Sequence, residues 1–170
     1  DGGKIRNAIP GHAEAVVAGL TCKDVEAVAR EHAKRTGVEY DLIDTPEGVK
    51  ICANGRGAHI GTAHLGRNGQ TALVELLTEL PLADCPGTRV LKALKKLFPH
   101  GKLNGEGLGL TLEDEIMGKP QANFTVCTMT ETEIACKMDS RGPTNAVPEN
   151  YAHVIDCALT EAGFIVEPGE

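Results

Sequence analysis

The sequence predicts an α+β fold with a ferredoxin-like antiparallel sheet and helices packed on one face of it. Three observations predict this class. Apolar residues alternate with polar ones along short segments, as they do in half-buried strands, and they recur every three or four residues along longer segments, as in amphipathic helices. The predicted strands also fall mostly in hairpin pairs separated by helices, which favours antiparallel pairing over parallel crossovers.

The first strand and the first helix are predicted near the N-terminus. Residues 12–18 alternate in polarity, which indicates a half-buried strand. Thr21 is followed three residues later by Asp24, a capping-box-like pair that begins a helix. Gly37 is expected to end this helix, because glycine tolerates the left-handed conformation that closes many helices.

A hairpin and two more helices follow. Residues 38–43 and 49–53 read as strands joined by a turn that contains Pro46 and Gly48, and both residue types favour turns. Residues 65–80 and 86–98 each carry an apolar stripe at helical spacing, so we expect two amphipathic helices. The glycine-rich stretch after them is expected to be a loop.

The last part of the chain is predicted to repeat the pattern of strands and a helix. Residues 123–128 and 133–139 alternate in polarity and form a second predicted hairpin. A final helix is expected over residues 148–162, ended by Gly163, with a closing strand over residues 164–166.

Composition limits the classes of protein to which the chain can belong. Its 170 residues, 41% of them hydrophobic, suit one globular domain or two small subdomains over residues 1–80 and 81–170. The net charge of −7 argues against nucleic acid as a partner. No apolar run is long enough for a membrane span, so we expect no membrane partner. The six cysteines lack metal-type spacing and are expected to be buried thiols in the cytoplasm.

Motifs for self-contained catalysis are missing from the sequence. None of the six histidines lies in an HExxH or H-x-D pattern, and no G-x-S-x-G elbow is present, so we expect no metal ligands in this chain. Two segments stand out instead. Asn7 precedes Ile9-Pro10 at the start of a strand, and His59 lies in a loop between a strand and a helix, where functional side chains are often found.

Three segments resemble the lid of the Xaa-dipeptidases, which are carnosinase-like zinc metallopeptidases. The first segment carries Gly2, Gly3, Asn7, Ile9, Pro10, Ala13 and Ala15, the second carries Ala58, His59, Thr62, Leu65, Gly66 and Asn68, and the third is Met138-Asp139-Ser140-Arg141-Gly142-Pro143-Thr144. Residues 110–118 are similar to a further stretch that precedes the late hairpin. The chain departs from the pattern at Gly61, Ala63 and Gly69, where relatives carry Ser, Pro and Ala.

The resemblance implies an enlarged lid domain that closes over a dipeptide substrate. Two zinc ions would be bound by a catalytic domain absent from this chain, so the fragment alone is expected to be inactive and to bind no cofactor. His59 would stabilise the oxyanion, Asn7 would assist it, and Arg141 would bind the substrate's terminal carboxylate. The chain begins at Asp1 without Met and ends at Glu170 in linker-like sequence, which favours an excised domain.

Two alternatives remain open at this stage. One is the lid of a related deacylase that acts on acylated amino acids, although the long insert over residues 81–119 disfavours it. The other is a free-standing ferredoxin-like module for small-molecule binding or dimerisation, because a fold alone does not fix a function. We expect the fragment's partners to be the dipeptide and its own catalytic domain, with weak homodimers through the surface that normally faces that domain.

Overall fold

A computed structural model describes residues 1–167 as a mixed α+β fold of small antiparallel sheets and helices, which confirms the predicted class. The ferredoxin-like arrangement stays a prediction. The strands are β1 Ala8–Ile9, β2 His12–Val17, β3 Glu39–Thr45, β4 Gly48–Asn54, β5 Ala58–His59, β6 Gln121–Met129 and β7 Ile134–Arg141. The α-helices are α1 Cys22–Thr36, α2 Gly69–Glu79, α3 Pro86–Leu97 and α4 Ala152–Glu161, and 3₁₀ helices span Ile60–Leu65 and Glu106–Leu108. The predicted linker end at residues 168–170 lies outside the described residues.

The first half of the chain forms a three-stranded sheet in the order β2-β4-β3. Because both outer strands are antiparallel to β4, β2 and β3 run parallel to each other and α1 makes the crossover between them. As predicted, α1 begins at Thr21, whose N–H and hydroxyl both donate to the Asp24 carboxylate, at 2.8 and 2.7 Å. It ends at Gly37, which adopts φ +67° and donates its N–H to the Ala33 carbonyl.

The N-terminal segment joins the two halves of the sheet. Gly2 pairs with Ala13 of β2 on one side and with Cys127 of β6 on the other. Gly2 and Cys127 exchange two backbone hydrogen bonds, each of 2.8 Å between nitrogen and oxygen. Gly2 therefore connects the three-stranded sheet to the β6–β7 hairpin, because its backbone pairs with a strand of each.

One hydrophobic core fills the space between this sheet and the helices. It contains side chains from residues 1–80 and from residues 81–170 alike, among them Val25, Ile51, Leu76, Leu94 and Phe124, each at most 2% exposed. Aliphatic side chains predominate in it because the chain has so few aromatic residues. An exception is the stacked pair of Phe98 and Phe124, whose ring centroids lie 5.1 Å apart.

Two predicted helices are shorter than the sequence indicated. The helix predicted over residues 65–80 begins only at Gly69, because the side-chain oxygen of Asn68 accepts the N–H groups of Gln70 and Thr71, at 3.0 and 3.1 Å. Leu65 instead ends the 3₁₀ helix Ile60–Leu65, and Arg67 pairs with Arg56. The last helix starts at Ala152 rather than near residue 148, after two hydrogen-bonded turns.

The strand predicted over residues 164–166 is wrong. Gly163 adopts φ +92°, and the N–H of Phe164 donates back to the carbonyl of Leu159 at 3.0 Å. This is the hydrogen-bond pattern of a Schellman cap, in which an apolar residue after the glycine packs against the end of the helix. Phe164 accordingly packs against the core, while Ile165 is 94% exposed. The apolar run therefore caps α4 and does not join the sheet.

Two expectations from composition can be compared with the structure. Among residues 1–167, no helix has the length and apolar character needed to cross a lipid bilayer. The cysteines are less buried than predicted: Cys52 is buried, but Cys85, Cys136 and Cys157 are exposed. The expectation of buried thiols is therefore wrong for these three residues.

Candidate functional site

The short β1–β5 ladder places two of the predicted site residues side by side. Ala8 pairs with His59, and Ile9 pairs with Ala58. The carbonyl of Asn7 then accepts the N–H of Ile60 at 3.1 Å. Asn7 and His59, although far apart in the sequence, therefore occupy neighbouring positions, and both are exposed.

A small apolar cluster lies beneath this ladder and holds it in place. Its buried members are Ile9, Ile60 and Ala63, none more than 2% exposed. Gly66 permits the close packing, because a Cβ at this position would lie 2.9 Å from Cγ2 of Ile9. The ladder therefore has a rigid base although it contains only two residues on each strand.

The ring of His59 is oriented by its own backbone. His59 caps the 3₁₀ helix Ile60–Leu65, and its Nδ1 accepts the N–H of Gly61 at 3.1 Å. A backbone N–H can only donate, so Nδ1 must be unprotonated and the proton of the neutral ring must sit on Nε2. A Cβ at Gly61 would lie 3.3 Å from Nδ1, so glycine leaves room for this ring position. The exposed His59 ring therefore offers Nε2–H as a donor.

Further hydrogen bonds fix the segment that carries His59. The Thr62 hydroxyl donates to the His59 carbonyl at 3.2 Å, and Nε of Arg56 donates to the Leu65 carbonyl at 2.6 Å. Arg56 also exchanges backbone hydrogen bonds with Arg67, at 2.8 and 2.9 Å. These contacts tie both ends of the 3₁₀ helix together and limit the movement of the histidine.

Arg141 lies at the end of the other hairpin. It is the last residue of β7, opposite Gln121, and it is exposed. Its Nε donates to the carboxylate of Asp139 at 3.3 Å, which leaves its two terminal nitrogens available for another carboxylate. The contacts within residues 1–167 do not join Arg141 to Asn7 or His59. The structure thus brings two of the three predicted residues, Asn7 and His59, to neighbouring backbone positions.

The segment after Arg141 is held by Asp114, in one of the stretches that resembles the dipeptidase lid. The Asp114 carboxylate accepts the backbone N–H and the hydroxyl of Thr144, as well as the N–H groups of Ile116 and Met117. These hydrogen bonds stabilise the charged form and hold the pKa of Asp114 well below its usual range. Two segments noted separately in the sequence are therefore joined at one carboxylate.

Two cavities within residues 1–167, of about 610 and 250 Å³, are not lined by any of the three predicted residues. The larger runs along the N-terminal segment and β1, and the smaller lies between α2 and β6. Asn7, His59 and Arg141 lie on open surface instead.

The comparisons with known proteins add no relative. No protein family and no curated protein matches this chain. The roles predicted for Asn7, His59 and Arg141 therefore stay predictions, which depend on their geometry and on the resemblance of the three segments to the dipeptidase lid.

A second polar cluster was not predicted from the sequence. His32 of α1 is completely buried, and its Nε2 lies 3.8 Å from the carboxylate of Glu75 on α2, close to Glu79. The sequence contains only a weak signal for this cluster, the spacing of four between Glu75 and Glu79, which places them on one helix face. His32 comes from a different helix, so no local motif could include it.

Proposed function

We propose that this chain is the substrate-covering lid of a zinc-dependent dipeptidase. The observation that carries the proposal is the neighbouring placement of Asn7, just before β1, and of the exposed His59 on β5, whose Nδ1 accepts the N–H of Gly61 and so leaves Nε2–H as the donor of the ring. A catalytic domain outside this chain would bind the zinc ions, which activate the attacking water when bound. The lid would complete the site only when it closes over the dipeptide.

His59 would stabilise the negative charge that develops during peptide hydrolysis. The attacked carbonyl oxygen becomes an oxyanion in the tetrahedral intermediate, and a fixed donor aimed at it lowers the barrier. Nε2–H of His59 is such a donor, because the ring cannot rotate without losing the hydrogen bond from Gly61. The Asn7 side-chain amide, in the turn just before β1, would add a second N–H donor or hold the substrate backbone.

Arg141 would recognise the free carboxylate at the end of the dipeptide. A guanidinium and a carboxylate form a bidentate, charge-assisted pair. Because Asp139 engages only Nε, the two terminal nitrogens of Arg141 remain available for this pair. Arg141 would then select substrates that end one residue after the cleaved bond, which distinguishes a dipeptidase from a general peptidase.

The test uses the complete product of the gene, assayed with zinc and a simple dipeptide. His59→Ala is expected to lower kcat by about 10²–10³-fold with little change in KM, because the donor acts mainly in the transition state. The matched control is His64→Ala, which removes an exposed histidine from the same 3₁₀ helix and should retain activity. Equal activity of the His59→Ala and wild-type proteins would contradict the proposal.

Arg141→Ala separates the dipeptidase from the alternatives. We expect its kcat/KM to fall on a dipeptide but to match wild type on the same dipeptide with an amidated C-terminus. Lys137→Ala, at another exposed position of β7, is the control. Preference for an acylated amino acid over the dipeptide would favour the deacylase lid. Absence of any zinc-dependent hydrolysis would favour the free-standing binding module.

A further inference from the structure

A histidine and two carboxylates converge between α1 and α2. His32, Glu75 and Glu79 each offer one ligand atom, and these three atoms lie within 4.8 Å of one another. Glu75 and Glu79 are one turn apart on α2, and the His32 ring reaches them from the last turns of α1. The carboxylates are 22% and 28% exposed, so a small ion can reach them from solvent.

The buried histidine supplies a second, independent sign of a ligand. The Nε2 atom of His32 is fully buried and has no hydrogen-bond partner within residues 1–167. A buried polar atom without a partner is unfavourable, and native structures contain few of them. This atom faces the two carboxylates. Burial also lowers the pKa of His32, so the ring is neutral and its Nε2 lone pair is available for coordination.

The surroundings of His32 match those of a metal-binding histidine. Its other nitrogen, Nδ1, lies 2.8 Å from the Tyr40 hydroxyl. A histidine that binds a metal through one nitrogen usually donates from the other to an oxygen, which fixes the ring and its tautomer. Burial raises the pKa of Tyr40, so its oxygen remains a phenol that can accept from Nδ1–H.

We propose that His32, Glu75 and Glu79 form a site for a zinc-like divalent transition metal that links α1 to α2. One imidazole and two carboxylates suit such an ion, with water as a fourth ligand. Tetrahedral ligands about 2.1 Å from zinc lie about 3.4 Å from one another. The exposed carboxylates therefore need to move inward by about 1 Å, while the buried ring stays in place. This site is independent of the proposed lid function.

Arg35 competes with a metal ion for the carboxylates of Glu75 and Glu79. Its guanidinium lies 2.6 Å from Glu79 and 4.0 Å from Glu75, so it neutralises part of the charge that a metal would meet. The Arg35 side chain is 53% exposed and can swing into solvent. The cluster is either a metal site or a network of ion pairs around Arg35. Loss of the guanidinium would strengthen metal binding at a metal site, whereas it would break a network of ion pairs.

The test measures zinc binding by the 170-residue chain. We expect one equivalent to bind, and zinc at a hundredfold excess over Kd to raise the melting temperature by about 5–10 °C. Cobalt(II) serves as a spectroscopic probe, and its spectrum should lack the thiolate charge-transfer band that binding to cysteine would produce. No thermal shift with zinc, or a thiolate band from the bound ion, would overturn the proposal.

Substitutions of the proposed ligands test where the zinc ion binds. Glu75→Gln and Glu79→Gln are each expected to abolish the zinc-induced shift, whereas Arg35→Gln should keep it and tighten binding. The matched control is Glu14→Gln, which alters a second grouping of metal-ligand types within residues 1–167, His12, Glu14 and Cys52, and should leave the shift unchanged. A shift that survives both glutamate substitutions, or that disappears in Glu14→Gln or Arg35→Gln, would overturn the site.

Discussion

Gly3→Ala tests whether the N-terminal segment holds the two halves of the sheet together. Gly3 adopts φ +68°, a left-handed conformation, and a Cβ added there would lie 1.8 Å from the backbone carbonyl oxygen of Thr125. A backbone carbonyl of β6 cannot move aside as a flexible side chain can. The N-terminal segment must therefore shift, and the two hydrogen bonds between Gly2 and Cys127 break with it.

The expected loss of stability follows from these contacts. A left-handed conformation costs a residue with a Cβ about 1–2 kcal/mol. Each backbone hydrogen bond contributes about 0.5–1.5 kcal/mol, so losing the two bonds of Gly2 adds about 1–3 kcal/mol. Gly3→Ala should therefore lower the free energy of unfolding by about 2–5 kcal/mol.

Urea denaturation of the purified chain measures this loss, and Gly19→Ala is the matched control. Gly19 also has a positive φ, +78°, but nothing lies within 4 Å of the position of its Cβ. The control should therefore lose only the conformational part, about 1–2 kcal/mol. Equal losses in Gly3→Ala and Gly19→Ala would refute the idea that Gly3 is needed for the close approach to β6.

Three further predictions concern the core, the half-buried His100 and a pair of thiols. Leu76→Ala, at a fully buried position, should lower the free energy of unfolding by about 2–5 kcal/mol, and a loss below 1 kcal/mol in urea denaturation would contradict the packing. Burial lowers the pKa of His100 in the folded protein. As the pH falls below 6.5, the ordinary histidine value, the unfolded chain therefore binds a proton before the folded protein does, and the free energy of unfolding should decrease. His100→Gln, which keeps a partner for Thr71, should make stability less dependent on pH between 7.5 and 5.5, and an unchanged dependence would count against this assignment. Cys127 and Cys136 face each other across β6 and β7 with their sulfurs 3.7 Å apart. Oxidised glutathione should oxidise the two thiols to a disulfide and be reduced to two glutathione molecules, which take up the two electrons and two hydrogens. Peptide mapping would identify the bond, and a disulfide between other cysteines would contradict the register of β6 and β7.

The elements that were predicted correctly are those whose signals are local. The capping pair Thr21 and Asp24 and the terminal Gly37 define α1 almost to the residue, because the groups that begin and end this helix lie within it or next to it. The start of α2 was predicted too early, because Leu65 extends the apolar stripe of α2 although it belongs to the 3₁₀ helix Ile60–Leu65. Phe164 was misassigned because an apolar run can cap a helix as readily as it can join a sheet.

The candidate site was predictable only in part. Periodicity gave no reason to place Asn7 beside His59, because the β1–β5 ladder has two residues on each strand. The resemblance to the dipeptidase lid suggested both residues, and the structure places Asn7 just before β1 and His59 on β5, which pairs with β1. Arg141 belongs to another hairpin, and under the proposed function a bound dipeptide would be what relates it to them. The His32 cluster forms across two helices, and such contacts leave almost no trace in the sequence.

Inhibition by a phosphinic dipeptide analogue, measured on the complete gene product, is the most direct test of the role of His59. Such a compound imitates the tetrahedral intermediate, so it should gain from the Nε2–H donor while the substrate does not. We predict that His59→Ala weakens binding of the analogue by the same factor, about 10²–10³, by which it lowers kcat. Unchanged inhibition in His59→Ala, or an equal loss in His64→Ala, would contradict the account.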